Sequence, residues 1–223
     1  MSERDRETRA RLLTAATHLF ATNGFKKVTV REICREARAN VAAVNYHFGD
    51  KLGLYREVLG TAIEIMRGTT DAAQQAGAGR PPEAQLRAYV RVFLQRVAGG
   101  GDSWIHQLMM QEMADPTPAL DLVADQVIRP RLEYVAQIVA ELVEQPVDSE
   151  RVRMSVLSIQ SLCHSAMKNA IARRLLPDLY AGDDQLDRLA DHIAEFSIGG
   201  LRALRAKNPA FNAQAAELAQ KRV

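Results

Sequence analysis

The stretch that decides the fold of this chain is residues 24–51, which read GFKKVTVREICREARANVAAVNYHFGDK. Thr29 and Glu32 stand three positions apart at the start of a run whose apolar residues recur with helical periodicity. This is the spacing of a capping box at a helix start. Asn40 is a strong N-cap for a second helix, which we expect to run from residue 41 to about 47. The first helix must end shortly before that cap, so the turn between the two is very short. This pattern predicts a helix-turn-helix.

A longer helix precedes this pair. Apolar residues recur at helical spacing and predict an amphipathic helix over about residues 5–22. Gly24 follows at the place of a left-handed C-cap, which allows Phe25 to fold back on Phe20. The apolar residues of the two short helices that can pack on this helix are Ile33, Ala37, Val44 and Phe48.

In such a unit the second short helix enters the DNA major groove, and its early residues face the base edges. The small alanines allow close approach, and an asparagine can pair bidentately with adenine. A hydroxyl, an imidazole, an ammonium group or a helix N-terminus suits phosphate oxygens. The base-reading candidates are Val41, Ala42, Ala43 and Asn45, and the phosphate-contact candidates are Thr29, Tyr46, His47 and Lys51.

Two of these candidates have an ordinary structural alternative. Tyr46 alone suits a partly buried position as well as a backbone contact, because tyrosine has one apolar and one polar end. Lys51 alone suits a solvated surface charge. The case for DNA therefore rests on the group rather than on any one member.

The charge distribution favours a polyanionic partner at the N-terminal end. Residues 1–56 carry 11 Lys and Arg against six Asp and Glu, a balance of +5, whereas the remainder carries 18 against 21. A basic unit attached to a slightly acidic body is suited to contact with nucleic acid. A chance fluctuation remains the alternative for charge taken alone.

The quoted stretch resembles the DNA-binding domain of the tetracycline-repressor (TetR) family over about residues 6–56. The resemblance implies that Thr29, Tyr46, His47 and Lys51 fall on phosphate contacts and residues 41–45 on base-reading positions. It also implies a homodimer that reads a pseudo-palindromic operator and responds to a small organic effector. One position departs from the family pattern: Arg38 stands in the turn where glycine is common.

The rest of the chain also reads as helical, so the predicted fold is all-α. We expect the DNA-binding domain at residues 1–50 and an effector-binding and dimerisation domain at 51–223, with Pro130 interrupting one helix near 127–129. No alternation typical of strands is present. The expected helices of the second domain span about 51–75, 82–98, 102–114, 117–144, 149–175 and 184–206.

The last two long helices carry the broadest apolar faces. Two such helices from each of two chains would form a four-helix bundle about a two-fold axis. The alternative is that these faces are intramolecular core, and the resemblance to the TetR family favours the dimer. The expected interface residues are Val152, Val156, Ile159, Leu189, Ile193, Phe196 and Gly200.

A narrower resemblance, over about residues 104–133, is to the C-terminal domain of the branch that contains the cephalosporin- and chloramphenicol-response regulator CecR. Regulators of this kind hold an effector among the helices of the body, and several Met beside one Trp suit an apolar cavity. Core packing is the alternative for each residue taken singly. The candidate pocket residues are Tyr89, Phe93, Trp104, Met109, Met113, Gln160, His164 and Met167.

Several other classes of protein are disfavoured. We expect a cytoplasmic protein, because no apolar run approaches a membrane span and the first residues lack the apolar core of a signal peptide. Cys34 and Cys163 are expected to be buried free thiols, and His106 and Glu112 lack metal-ligand spacing. We predict no metal and no cofactor. An enzyme is the less favoured alternative, since no nucleophile motif or phosphate-binding loop is present, as is an adaptor whose helix-turn-helix binds protein.

Overall fold

The computed structural model describes residues 2–98, 103–166 and 170–206. Every regular element in these ranges is helical, as the sequence predicted, and none of these helices is long and apolar enough to span a bilayer. The α-helices are α1 Glu3–Asn23, α2 Val30–Ala37, α3 Val41–Phe48, α4 Lys51–Gly77, α5 Pro82–Ala98, α6 Ser103–Ala114, α7 Leu120–Val123, α8 Arg129–Val143, α9 Glu150–Ser165, α10 Ala170–Leu175 and α11 Gln185–Ala206.

The chain divides into two compact units. The first comprises Met1–Gly68 and Gly101–Ile128, and the second comprises Thr69–Gly100 and Arg129–Val223. This division differs from a single boundary after residue 50, because the first half of α4 and the segment around α6 and α7 share the apolar core of the N-terminal helices. The helix-turn-helix thus packs on a larger hydrophobic core than the three N-terminal helices form by themselves.

The caps of the helix-turn-helix form as the sequence predicts. The Thr29 hydroxyl accepts from the Glu32 amide at 3.3 Å, and the Glu32 carboxylate accepts from the Thr29 amide at 2.8 Å. The Asn40 side chain accepts from the Ala43 amide at 2.9 Å and so begins α3. These side chains satisfy amides that have no intrahelical partner, which fixes where each short helix starts.

The turn between α2 and α3 requires a left-handed residue, and Arg38 supplies it with φ 49° and ψ 49°. The following amide, that of Ala39, donates to the Cys34 carbonyl at 2.9 Å and closes the end of α2. An L-residue with a side chain adopts this conformation at a cost that glycine avoids. The turn of this chain therefore carries conformational strain at a residue that is not glycine.

A buried carboxylate links α4 to α6 inside the first unit. Glu112, which is almost fully buried, accepts from the Tyr55 hydroxyl, from the Thr117 amide at 3.2 Å and from the Thr117 hydroxyl. Burial, followed by the neighbouring Glu112 carboxylate, raises the pKa of Tyr55 well above its usual value. The phenol therefore stays protonated and serves as a donor to the carboxylate.

The second unit is a helical bundle built by α5, α8, α9 and α11 around its own apolar core. Arg87 on α5 pairs with Glu195 on α11, and Arg202 on α11 makes a bidentate pair with Glu83 on α5. These ion pairs are largely exposed, so they fix the register of the two helices more than they stabilise the fold.

Two long helices of the sequence-based prediction are divided in the structure. The one expected at 117–144 is split by a π-helical turn, Ala124–Ile128, just before Pro130, because a proline cannot continue the ordinary hydrogen-bond ladder. The one expected at 149–175 ends as α9 at Ser165, with a separate short helix, α10, at Ala170–Leu175. The first break was anticipated and the second was not.

Candidate functional site

The outer face of α3 is an exposed surface on a fixed support. Val44 is fully buried in the core of the first unit, whereas Val41, Ala42 and Asn45 are exposed and Ala43 is half-buried. A short helix anchored by one inward residue and presenting small or amide side chains outward fits a major groove. The structure thus brings all four candidate base-reading residues onto one helix, with Ala43 the least accessible.

Tyr46 and His47 lie at the end of the same helix. Tyr46 is 73 % exposed and its ring packs edge-on against the His47 ring, with centroids 4.8 Å apart. This exposure decides against the alternative in which Tyr46 is a core residue. Its hydroxyl therefore projects into solvent next to the exposed face of α3.

Thr29 and Lys51 already have partners inside the chain. The Thr29 hydroxyl donates to the Glu32 carboxylate at 2.8 Å, so an acidic group lies at the start of α2. The Lys51 ammonium donates to the Val28 carbonyl at 2.7 Å and lies 4.3 Å from the centroid of the Phe25 ring. Partial burial lowers the pKa of Lys51. A solvated surface charge is thus the wrong description of this lysine.

The second unit contains a cluster of polar and aromatic side chains, most of them buried, which we call the Arg131 cluster. It consists of residues from α5, α8 and α9. Gln160 donates to the Tyr89 hydroxyl at 2.6 Å, and the Arg131 guanidinium carbon lies 5.2 Å from the centroid of the Phe93 ring. The members of the Arg131 cluster are Tyr89, Phe93, Arg131, Tyr134, Gln160 and His164.

The predicted pocket residues fall into two separate groups. Tyr89, Phe93, Gln160 and His164 are in the Arg131 cluster. Trp104, Met109 and Met113 instead belong to the first unit, where the first two pack against its core and Met113 is exposed. Met167 lies outside the described residues. The predicted pocket residues are thus distributed over both compact units.

The predicted interface residues also divide by burial. Val152, Val156, Ile159 and Ile193 lie in the core of the second unit, at most 6 % exposed, and Leu189 packs against that core. Most of their surface is therefore used in packing within this chain, although Ile159 also lines the groove between α9 and α11. Of the predicted set, only Phe196 and Gly200 are exposed.

An open groove of about 810 Å³ runs along α9 and α11. Its apolar lining includes Met154, Leu162 and Phe196, and Met154 and Phe196 are both more than 60 % exposed. Gly199 and Gly200 stand near it, and a Cβ built on either would meet nothing within 4 Å. Packing among the described residues therefore gives no reason for two consecutive glycines in a helix.

Family comparisons agree with this architecture. Residues 12–58 match the profile described as bacterial regulatory proteins, tetR family. Residues 82–201, more than half of the chain, match the profile described as the C-terminal domain of the HTH-type transcriptional dual regulator CecR.

The chain belongs to the TetR family.

Its larger domain is of the CecR type, so both resemblances seen in the sequence are confirmed. This family consists of transcriptional regulators and not of enzymes, in agreement with the absence of a catalytic motif in the sequence.

Individual relatives are distant. A curated relative, the HTH-type transcriptional dual regulator CecR of Shigella flexneri, is 27 % identical over 149 residues, which span 63 % of this chain and 66 % of that protein. A solved TetR-family regulator from Streptomyces coelicolor has a TM-score of 0.63 at 23 % identity, covering 88 % of this chain and 97 % of that one. The regulator PfmR of Thermus thermophilus has a TM-score of 0.59 at 20 % identity, covering 84 % and 97 %. The two structural likenesses show a shared fold.

Sequence reasoning missed two central residues of the interior. Arg131 and Tyr134 are in the Arg131 cluster but were not among the candidates. The signal that could have indicated burial is the position of Arg131. It directly follows Pro130, in a stretch where residues 127, 135 and 138 are apolar. Among the described residues, no group of three or more His, Cys, Asp or Glu could hold a metal ion.

Proposed function

We propose that this chain binds double-stranded DNA as a homodimer and releases a pseudo-palindromic operator when a small organic effector binds the second unit. The observation that carries the proposal is the exposed face of α3 on its buried anchor Val44. In a homodimer, two copies of α3 would enter successive major grooves about one helical turn, ~34–36 Å, apart.

Base reading is assigned to Val41, Ala42, Ala43 and Asn45. Asn45 is the member with both an amide donor and an amide acceptor, which suits the N6 and N7 edge of adenine. Val41 and Ala42 offer apolar contact with thymine methyl groups. The half-buried Ala43 contributes mainly by allowing the helix backbone to approach the bases.

Phosphate contact is assigned to Thr29, Tyr46, His47 and Lys51, in two different ways. Tyr46 and His47 reach outward from the end of α3 and are suited to direct contact. Thr29 and Lys51 are held by internal hydrogen bonds, so they act by fixing the starts of α2 and α4. The free amides at a helix start then face the phosphate.

Dimerisation is assigned to the groove along α9 and α11. Exposed apolar side chains there, together with two glycines that allow close approach of another helix, support an isologous four-helix contact. The residues that support the contact are Met154, Leu157, Phe196, Gly199 and Gly200, with the buried residues Val152, Val156, Ile159, Leu189 and Ile193 forming the core beneath them.

The dimer has its own test. Phe196→Asp places a charge on the proposed contact, and we expect sedimentation to show a shift from dimer to monomer. Leu175→Asp is the matched control, since Leu175 is 71 % exposed on α10 and does not line the groove. A Phe196→Asp protein that sediments with the wild type would contradict the assignment.

We assign the protein as a repressor of transcription rather than an activator. An effector can shift the equilibrium only through its different affinities for the DNA-competent and DNA-free states. The helix α4 supplies residues to both compact units and is the element through which such a shift would pass. Activation is the second candidate, because the curated relative is described as a dual regulator.

DNA binding itself is tested by fluorescence anisotropy of a labelled duplex at increasing salt. We expect the logarithm of the association constant to fall linearly with the logarithm of salt concentration, with a slope of about −0.9 for each phosphate contacted. An acidic helical protein of similar size is the control. Affinity equal to that control at low salt would refute DNA binding, and affinity insensitive to salt would favour a protein partner.

A further inference from the structure

The least expected feature of the second unit is a charged side chain in its core. Arg131 is 6 % exposed, and its Nε has no hydrogen-bond partner. No ion pair joins Arg131 to a carboxylate within the stretches 2–98, 103–166 and 170–206. Burial lowers the pKa of the guanidinium, but an arginine keeps its proton at neutral pH. A full positive charge therefore lies inside the unit with no counter-charge among the residues that the structure describes.

The neighbours of Arg131 compensate this charge only in part. The Phe93 ring lies under the guanidinium, with 5.2 Å between the guanidinium carbon and the ring centroid. A cation–π contact of this kind attracts the charge but accepts none of its directed hydrogen bonds. Buried charges are otherwise paired and hydrogen-bonded, so the site is incomplete as it stands.

Two further polar groups in the Arg131 cluster are incompletely used. The Tyr89 hydroxyl accepts from the Gln160 side-chain amide at 2.6 Å, and this leaves the Tyr89 proton free to be donated. The Gln160 side-chain oxygen is buried without a partner. Burial raises the pKa of Tyr89 well above its usual value, so the hydroxyl keeps that proton. One charged donor, one neutral donor and one acceptor thus lie together in an apolar core.

We propose that Arg131 and Tyr89 bind the carboxylate head of an organic monoanion whose apolar body packs against Phe93 and Tyr134 and carries a hydrogen-bond donor for Gln160. This assignment rests on the proposed function, because it gives the chemical class of the effector. The carboxylate accepts from the guanidinium and from the Tyr89 hydroxyl, and a donor on the ligand satisfies the Gln160 oxygen.

A carboxylate fits this site better than other anions. The planar guanidinium fork matches the two oxygens of a carboxylate. One arginine neutralises one negative charge, whereas a phosphate dianion would leave an uncompensated charge in the core. The aromatic rings of the cluster, with Tyr89 and Tyr134 centroids 6.2 Å apart, suit an apolar body attached to that head.

The ligand would enter the Arg131 cluster from the surface beside His164. This side chain is exposed, its ring centroid lies 5.5 Å from that of Phe93, and its Nδ1 lies 2.7 Å from the Gln160 carbonyl oxygen. The His164 and Phe93 rings therefore connect the surface with the guanidinium. A ligand that reaches Arg131 from this side must displace these two rings.

The first test needs no ligand. If Arg131 is retained for binding, then Arg131→Met, which keeps the length of the side chain and removes the charge, raises the melting temperature of the ligand-free protein by a few degrees (~2–4 °C). Arg131→Lys, which keeps the charge, is the matched control and gives no increase. A melting temperature of Arg131→Met below that of wild type, or its failure to fold, would show a structural arginine and overturn the proposal.

The second test uses two carboxylate probes and their neutral counterparts. The probes 4-hydroxybenzoate and 10-hydroxydecanoate, which carry a carboxylate and a hydroxyl donor, are expected to raise the melting temperature of the wild type, whereas the corresponding amides raise it less. Calorimetry should show at least tenfold weaker carboxylate binding to Arg131→Met. Equal effects of acid and amide for both probes, or an unchanged response of Arg131→Met, would refute the site.

Anisotropy on the same variants separates this inference from the proposed function. Arg131→Met should bind DNA like the wild type and lose the release caused by carboxylate. Wild-type protein that binds carboxylate but no DNA would end the proposed function and leave the carboxylate site standing. Wild-type protein that binds DNA with no preference for acid over amide would end the inference alone.

Discussion

Replacing Arg38 by glycine is expected to stabilise the protein. Arg38 holds φ 49° and ψ 49° in the turn between α2 and α3, a conformation that costs an L-residue about 1–2 kcal/mol. Its exposed side chain makes no hydrogen bond or ion pair in the part of the chain that the structure describes, so truncation removes no contact. Glycine adopts the conformation freely but adds roughly 0.4–1 kcal/mol of unfolded-state entropy. The difference between the two ranges is a net gain of about 0–1.6 kcal/mol, centred on ~0.8 kcal/mol.

Two matched variants separate the backbone effect from the side chain. Arg38→Ala removes the same charge but keeps Cβ, and we expect a change within about 0.5 kcal/mol. Arg35→Gly alters an exposed arginine three residues earlier, inside α2, where glycine costs about 1 kcal/mol. The same residue change should therefore have opposite signs at positions 35 and 38.

Urea titrations monitored by circular dichroism measure the free energy of unfolding of each variant. For a chain of this length the Arg38→Gly gain corresponds to a rise of ~1–4 °C in melting temperature. DNA affinity should match that of Arg38→Ala, because the pose of α3 is unchanged. A loss of stability in Arg38→Gly would refute the reasoning, since it would mean that the turn does not need a left-handed residue.

Three further outcomes are expected. Asn45→Ala should relax the choice of base at one position of each half-site, at ~1–3 kcal/mol if its contact is bidentate; unchanged selectivity would exclude Asn45 from base reading. Tyr55→Phe should reduce the free energy of unfolding by about 1–3 kcal/mol in urea titrations, because the buried Glu112 carboxylate loses a donor; an unchanged value would show that water replaces the hydroxyl. Cys34 and Cys163 are buried, and burial raises the pKa of both, that of Cys163 to about 12. Neither thiol should react with Ellman's reagent in the folded protein, and rapid modification would contradict their placement.

The helix-turn-helix could be predicted in detail because its signals are local. Each short helix begins at a side chain that caps it, Thr29 or Asn40, and the partner amides lie three residues along the chain. Capping depends on nearest neighbours, so sequence alone determines it. The exposure of Tyr46, by contrast, depends on which residues pack beside α3, so it could be established only from the structure.

The interior of the second unit could be predicted only in part because its contacts are distant in sequence. Tyr89 and Gln160 are 71 positions apart, and nothing in either segment indicates their hydrogen bond. Arg131 reads as a solvated charge because arginines are rarely buried without a partner. Likewise, sequence alone did not show that Trp104 and Met109 pack against the core of the other unit, to which the exposed Met113 also belongs.

The interface prediction shows a further consequence of helix geometry. A broad apolar face on a helix contains both an inward stripe and its flanks, and periodicity alone does not separate them. Val152 and Ile193 are on the inward stripe, whereas Phe196 is on a flank. Only the packing of α9 against α11 decides which residues remain for a partner.

The most direct measurement is the selection of binding sites from a random duplex library by the purified full-length protein, followed by sequencing. We expect an enriched inverted repeat whose half-sites are centred about one helical turn apart, ~10 base pairs, as two α3 helices on a two-fold axis require. The Asn45→Ala protein selected in parallel should lose one position from each half-site and keep the spacing. A library that returns no enriched sequence, or one with a single unrepeated half-site, would contradict a dimeric reader that uses α3.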